Sequence, residues 1–219
     1  MLLHVQMRIA MPDGTDIVAP KLAVPINGTL NSLFKTAEIT IGSTVLPNSQ
    51  GSVPFVAYLY SLLSYGNIAQ KSALRGSLWY KDTVGHFDDV SAANKNEGYI
   101  NRSAWTLNTV CDMTGPLLLD LCRTSRLILN RVNINIKLFR SSPQFLLMTD
   151  EKDDSKNFKV SISLAELHVR KFKLRCADLL RIEQELSRRN ARYAYVQNSM
   201  FTISMPANTK NIGMKKMRF

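Results

Sequence analysis

Leu3, Val5, Met7 and Ile9 alternate with His4, Gln6 and Arg8 at the start of the chain. A period of two lays apolar side chains on one face of a strand. A chain that opens in mid-strand carries the expectation of further sequence upstream. Asp13-Gly14 predicts a turn, and the prolines at 20 and 25 make residues 17–26 an edge or connector rather than a central strand. Residues 38–46 predict a short hairpin around Gly42-Ser43. The period then changes. Phe55, Leu59, Leu62 and Leu63 share a helical face, with Ser52 as N-cap, Pro54 in the first turn and Gly66 at the end. A second short helix is expected over 69–74, stopped by Gly76.

Residues 91–98, SAANKNEG, predict a loop, and strands are expected at 104–112 and 117–120. Residues 128–139 alternate cleanly, Val132, Ile134, Ile136 and Leu138 against Arg131, Asn133, Asn135 and Lys137. Residues 149–157 form a charged tip with too few apolar groups to bury. The apolar phase of 160–174 slips twice, as bulges produce. Leu179, Ile182 and Leu186 make one stripe of a short amphipathic helix over 176–190, and 195–205 reads as a last strand. The sum is eight to ten irregularly spaced strands without regular βαβ alternation. The expected fold is all-β: an antiparallel two-sheet jelly-roll sandwich with short helical insertions. One domain is expected over 1–206, followed by a basic tail over 207–219.

With 219 residues, 45% hydrophobic and 21% charged, the chain can bury a sizeable core without disulfides or metals. No run reaches the ~18–20 apolar residues of a membrane helix, and the N-terminus lacks the pattern of a signal peptide. Cys111, Cys122 and Cys176 form no CxxC pair. They read as buried thiols of a protein that folds in a reduced, intracellular compartment and is not secreted. The net charge is +11, and much of it is clustered. Arg170, Lys171, Lys173, Arg175, Arg188 and Arg189 lie within 168–192, and Lys215, Lys216 and Arg218 lie in the tail. These are candidate polyanion contacts. A solvated strand edge and helix face is the plainer reading of the first cluster, and the tail reads as a disordered arm or a truncated end.

WYKDTVGHFDD, residues 79–89, is the densest candidate for chemistry. Zinc needs three or four ligands, mostly His or Cys. Here His86 stands alone, with His4 and His168 in strands from opposite ends of the chain. Asp82, Gly85, Asp88 and Asp89 miss the calcium-loop spacing. His86 beside Asp82 or Asp88 would make an acid–base pair, but no GxSxG, GxxxxGK[ST] or GxGxxG accompanies it. The reading is a structural turn: Trp79 and Tyr80 anchor a strand end, and Asp82-Thr83 with Gly85 form a side-chain-capped turn. No catalytic, metal-binding or cofactor residues are assigned, and no enzyme activity is expected.

The segments NSLFKTAEITIGSTVL, FVAYLYSLLSYG, WYKDTVGHFDDV, NEGYINRS, LNRVNINIKLFRS and LHVRKFKL occur in this order. Together the chain, over about residues 2–205, resembles the major capsid protein of Polinton (Maverick) elements and adintoviruses, including copies in invertebrate genomes. Trp79, Tyr80, Asp82, Gly85, His86 and Asp88 are the family motif in that likeness. The resemblance implies a double jelly-roll capsid protein whose trimers form pseudo-hexagonal capsomers of an icosahedral shell, with self-association, non-specific DNA contact and location in a virion. This chain is then similar to one N-terminal roll, a fragment or a decayed genomic copy, its first strand and second roll lying outside it. The alternative is a basic nucleic-acid-binding β domain of a host cell.

Overall fold

A computed structural model describes residues 1–17, 23–46, 52–90, 95–105, 110–124, 126–149, 158–194, 196–198 and 200. The framework is antiparallel β. Strand β1 (Leu2–Ala10) lies between β5 (Cys111–Pro116) and β8 (Lys159–His168). Strand β3 (Phe34–Ile41) lies between β4 (Thr44–Val45) and β6 (Ile134–Arg140), and β2 (Ala23–Pro25) pairs with β7 (Leu147–Thr149). The pairing is nested: β1 with β8, β2 with β7, β3 with β6. Among the described residues only β3 and β4 are both consecutive and paired. The helices are α1 (Thr29–Ser32), α2 (Val53–Ser64), α3 (Asn67–Lys71), α4 (Glu97–Ser103), α5 (Pro143–Leu146) and α6 (Cys176–Arg188); none among the described residues is long and apolar enough to cross a membrane.

The alternation of β1 decides its place. Leu3, Val5, Met7 and Ile9 are at most 4% exposed and point into a core shared with Leu33, Phe34, Ala37, Ile39, Met113 and Val160. Burial of such side chains contributes roughly 1.5–3 kcal/mol each, so β1, hydrogen-bonded on both edges, is firmly anchored. Arg140 Nη2 donates to the Val160 carbonyl at 2.5 Å, tying β6 to β8.

β8 carries one register shift against β1, between Gln6 and Met7. Ile9 faces Val160 and Met7 faces Ile162, whereas Gln6 faces Leu164, Val5 faces Ala165 and His4 faces Glu166. Ser163 is therefore the extra residue, and the parity of β8 flips there. Even-numbered residues point inward before the bulge and outward after it. The second expected slip falls beyond His168, where the strand has ended and 169–175 runs without regular pairing.

Several other expectations shift. Helix α2 (Val53–Ser64) buries Val53, Pro54, Ala57 and Ser61, and leaves Phe55, Leu59 and Leu63 exposed. The small Ala57 and Ser61 let the helix lie close to the sheet, and the larger side chains are left on the other face. Strand β5 begins where the first of the two expected strands was to end. Its Gly115 is an unusual strand residue, yet a Cβ there would stand 3.0 Å from both Leu30 and Ser77 side chains. β6 starts at Ile134, because Arg131 takes a left-handed φ of 64° and turns the chain just before it. Asp13-Gly14 makes a turn in which the Asp13 carboxylate accepts from Thr15 N and Oγ1, but residues 15–17 form no strand. Most of the expected last strand and all of the 207–219 tail lie outside the described residues; 196–198 and 200 are not in a strand.

The thiols divide. Cys111 is buried, Cys122 half-buried and Cys176 exposed, which corrects the expectation of three buried thiols. Cys176 opens a helix that buries nothing. Burial pushes Cys111 and Cys122 up to about 11. In the native protein at neutral pH, one thiol should react promptly with a disulfide reagent, and three after denaturation; three fast thiols would refute the packing of β5. Cys111 and Cys122 stay protonated in the folded chain while unfolded thiols ionise near 9.0. Their contribution to stability is thus intact below pH 9 and lost as pH rises toward 11, which denaturant midpoints across that window will read.

Candidate functional site: a clamped turn, a histidine cluster and an exposed basic segment

The path into WYKDTVGHFDD is set by Leu78, which ends a 3-10 helix (Ala73–Ser77) with a left-handed φ of 57°. That conformation is costly for a bulky residue, and it delivers Trp79 into the core at 2% exposure. The indole packs 5.1 Å from the Tyr58 ring of α2. It also lies against Gly28, where a Cβ would come within 3.2 Å of the ring. Tyr80 N donates to Asn27 Oδ1 at 2.8 Å.

Asp82 does not face His86. It meets Arg102, which is fully buried on helix α4 (Glu97–Ser103). The guanidinium donates 2.8 Å to Asp82 Oδ1, 2.9 Å to the Tyr80 carbonyl and, through Nε, 2.8 Å to the Pro25 carbonyl of β2. Met148 Sδ of β7 lies 3.8 Å away. Three elements and the turn therefore converge on one cation. A buried arginine is tolerated when its charge is paired and its donors are occupied, and here both conditions are met.

Helix α4 is itself built around the turn. Asn96 caps it, accepting from Gly98 N at 3.1 Å and Tyr99 N at 3.4 Å, and accepts from Thr83 N at 3.2 Å as well. Thr83 Oγ1 accepts from Glu97 N at 3.1 Å, and Tyr99 Oη donates to the Val90 carbonyl at 3.0 Å. The loop expected over 91–98 is corrected at its far end, where the helix begins at Glu97; residues 91–94 lie outside the described set. The N-cap Asn96 with Glu97 in the first turn is the signal that marks this start.

The rest of the motif is at the surface. Gly85 takes a φ of 82°, Asp88 is exposed, and His86 Nδ1 lies 2.7 Å from Asp89 Oδ2. The expected partners of His86, Asp82 and Asp88, are replaced by Asp89, three residues along. Two buried donors at the turn, Asn27 Nδ2 and Trp79 Nε1, find no acceptor among the described residues. Each such donor costs about 1–3 kcal/mol, a load the Arg102 contacts must outweigh.

The other two histidines are brought together, contrary to their distance in sequence. Pairing of β1 with β8 sets His4 opposite Glu166 and Leu2 opposite His168. His4 Nε2 lies 2.6 Å from Asp112 Oδ1 of β5, whose other oxygen accepts from Gln6 Nε2 at 3.2 Å. The hydrogen bond to Asp112 raises the His4 pKa, and those from His4 and Gln6 lower that of Asp112.

Arg170, Lys171, Lys173 and Arg175 follow β8 in an exposed, unpaired stretch, where the sequence pattern predicts a continued strand. Arg188 and Arg189 end helix α6 (Cys176–Arg188), also exposed, with Arg189 bound to Glu185 at 2.7 Å. Lys215, Lys216 and Arg218 lie outside the described residues. The apolar stripe of α6 is not covered: Leu179, Leu180 and Leu186 are 40–59% exposed, as are Phe172 and Leu174 in the stretch before it.

Replacing Arg102 with Met should cost about 3–5 kcal/mol, since Asp82 and two carbonyls would be left buried without their donor. His86→Ala should change stability by less than about 1 kcal/mol, its pair with Asp89 being half-exposed at the surface. Gly98→Ala would gain roughly 1 kcal/mol of helix propensity, yet its Cβ would stand 2.6 Å from Asp82 Oδ1 and 2.7 Å from the Tyr80 carbonyl. The clash should win and the variant be destabilised. Urea unfolding of the three variants decides; an Arg102→Met midpoint equal to that of the parent would contradict the clamp. Comparison with protein-family models, with curated proteins and with solved structures finds no match to this chain.

Proposed function

We propose that the chain is a structural capsid subunit: a jelly roll that builds an icosahedral shell through trimeric capsomers and acts by shape and interfaces rather than by catalysis. The nested pairing carries this reading. A jelly roll is a long antiparallel ribbon rolled into two sheets, so the first strand pairs with the last, the second with the last but one, and the third with the next. β1–β8, β2–β7 and β3–β6 follow that order, while β1–β5 and β3–β4 are further pairs outside it.

The exposed apolar surface supports the reading from a second side. Leu59 and Leu63 on α2, and Phe172, Leu174, Leu179, Leu180 and Leu186 around α6, are large side chains in water. Faces of this kind mark protein–protein contact. In this account they meet neighbouring subunits, or the second roll of a double jelly-roll protein, and the virion is where the protein acts.

A second reading, a basic nucleic-acid-binding β domain of a host cell, is favoured by the exposure of Arg170, Lys171, Lys173, Arg175, Arg188 and Arg189. The two readings separate in solution. A capsid subunit should self-associate with rising concentration in sedimentation experiments, toward trimers. Leu179→Asp combined with Leu186→Asp should weaken that association without loss of circular dichroism, because α6 buries no residue. A monomer at every concentration would overturn the capsid reading. Affinity for random-sequence DNA that is high at low salt and falls linearly with log salt would favour the second.

A further inference from the structure

The geometry points to a metal site that the sequence hides: His4, Glu166 and His168 bind one divalent transition-metal ion, with Zn2+ the expected species, and Asp112 orients His4 for it. The donor atoms are already gathered. His4 Nδ1 and His168 Nε2 each lie 3.6 Å from Glu166 Oε2, and all three ligand atoms fall within 4.8 Å of one another. Bonds of about 2.0–2.1 Å to a tetrahedral zinc place its donors about 3.3–3.4 Å apart. Two of the three edges therefore need only a few tenths of an ångström. The histidine–histidine edge closes by side-chain rotation, for which there is room: the side chains of His4, Glu166 and His168 are 21%, 51% and 57% exposed.

The hydrogen bond from His4 to Asp112 fixes the tautomer. An ionised carboxylate only accepts, so Nε2 carries the proton toward Asp112 and the Nδ1 lone pair is left facing Glu166 and His168. A carboxylate behind a ligating imidazole is the arrangement that orients metal-bound histidines and raises their basicity. Gln6 holds the second Asp112 oxygen and so fixes the carboxylate. Two imidazoles and one carboxylate suit Zn2+ and its neighbours, whereas Ca2+ and Mg2+ call for six or more oxygens. Three protein ligands leave a fourth position for water or an incoming donor.

The bulge at Ser163 creates the site. Without it, the even-numbered Glu166 and His168 would turn to the inward face of β8 with Val160 and Ile162. A bound ion would bridge β1 and β8 near the end of their pairing, where Leu167 is already 39% exposed and burial holds the strands less firmly. Its role is that of a staple, coupling metal binding to folding.

The test uses the full chain with Cys176→Ser, so that the exposed thiol contributes nothing, stripped of metal by a chelator. Calorimetric titration with Zn2+ should give one ion per chain, and Co2+ should give the visible absorption of a tetrahedral site. His168→Ala, at an exposed position, should keep the fold and lower the Zn2+ affinity at least tenfold. Asp112→Asn should lower it by about 10–100-fold, and should leave the cobalt spectrum tetrahedral at saturation, as befits a positioning residue. Zn2+ should raise the thermal midpoint of the parent and not of His168→Ala. No stoichiometric binding, or binding unchanged by His168→Ala, would overturn the proposal.

Discussion

The fold turns on a buried cation. Arg102 holds the carbonyl of Pro25 in β2, the carbonyl of Tyr80 and the carboxylate of Asp82, and touches Met148 in β7. A guanidinium in a low-dielectric interior is stable only while every partner is in place. The polar turn, the short β2–β7 ribbon and helix α4 are thereby bound to one another, and none can shift without uncovering charge. The dense polar sequence WYKDTVGHFDD owes its composition to this demand. Its buried half supplies acceptors and an aromatic anchor, and its surface half closes the loop with Gly85 and the His86–Asp89 pair.

A second organising element is β1, paired on both edges and apolar on its inner face. Its outer face carries His4, Gln6 and Arg8. Partners for that face come from Asp112 of β5, which meets His4 and Gln6, and from β8, where the bulge decides that Glu166 and His168 arrive. The same strand thus anchors the core on one side and presents a donor cluster on the other. Antiparallel pairing of β1 with β5 and β8 sets residues far apart in sequence side by side, so chemistry assembled from distant segments is a natural product of this pairing.

Legibility in the sequence tracks the range of the forces involved. Alternation in β1, the turn at Asp13-Gly14 and the helix at 53–64 are local, and each is legible. The buried face of α2 is not, because Ala57 and Ser61 serve close approach rather than hydrophobicity. Arg102 looks like one more surface cation, since nothing adjacent in sequence marks an arginine as buried; its partners are 20 and 77 residues away. Asp82 stands out in the sequence, but its partner lies across the turn and not in His86, four residues on. His4 and His168 look too distant to meet, since register and the position of a bulge are fixed by tertiary pairing. The basic stretch after His168 is legible as charge but not as the end of its strand, because alternation continues there without a pairing strand among the described residues.

Amide hydrogen exchange, resolved by peptide or by residue, tests most directly whether the turn belongs to the cooperative core. The amides of Tyr80 and Thr83, which donate to Asn27 and Asn96, and those of Gly98 and Tyr99 in α4 should exchange with protection close to that of Val5 and Met7 in β1, and Arg102→Met should lower both sets together. Fast exchange across 79–99 with β1 still protected would show the turn to be an independent loop and would contradict the account.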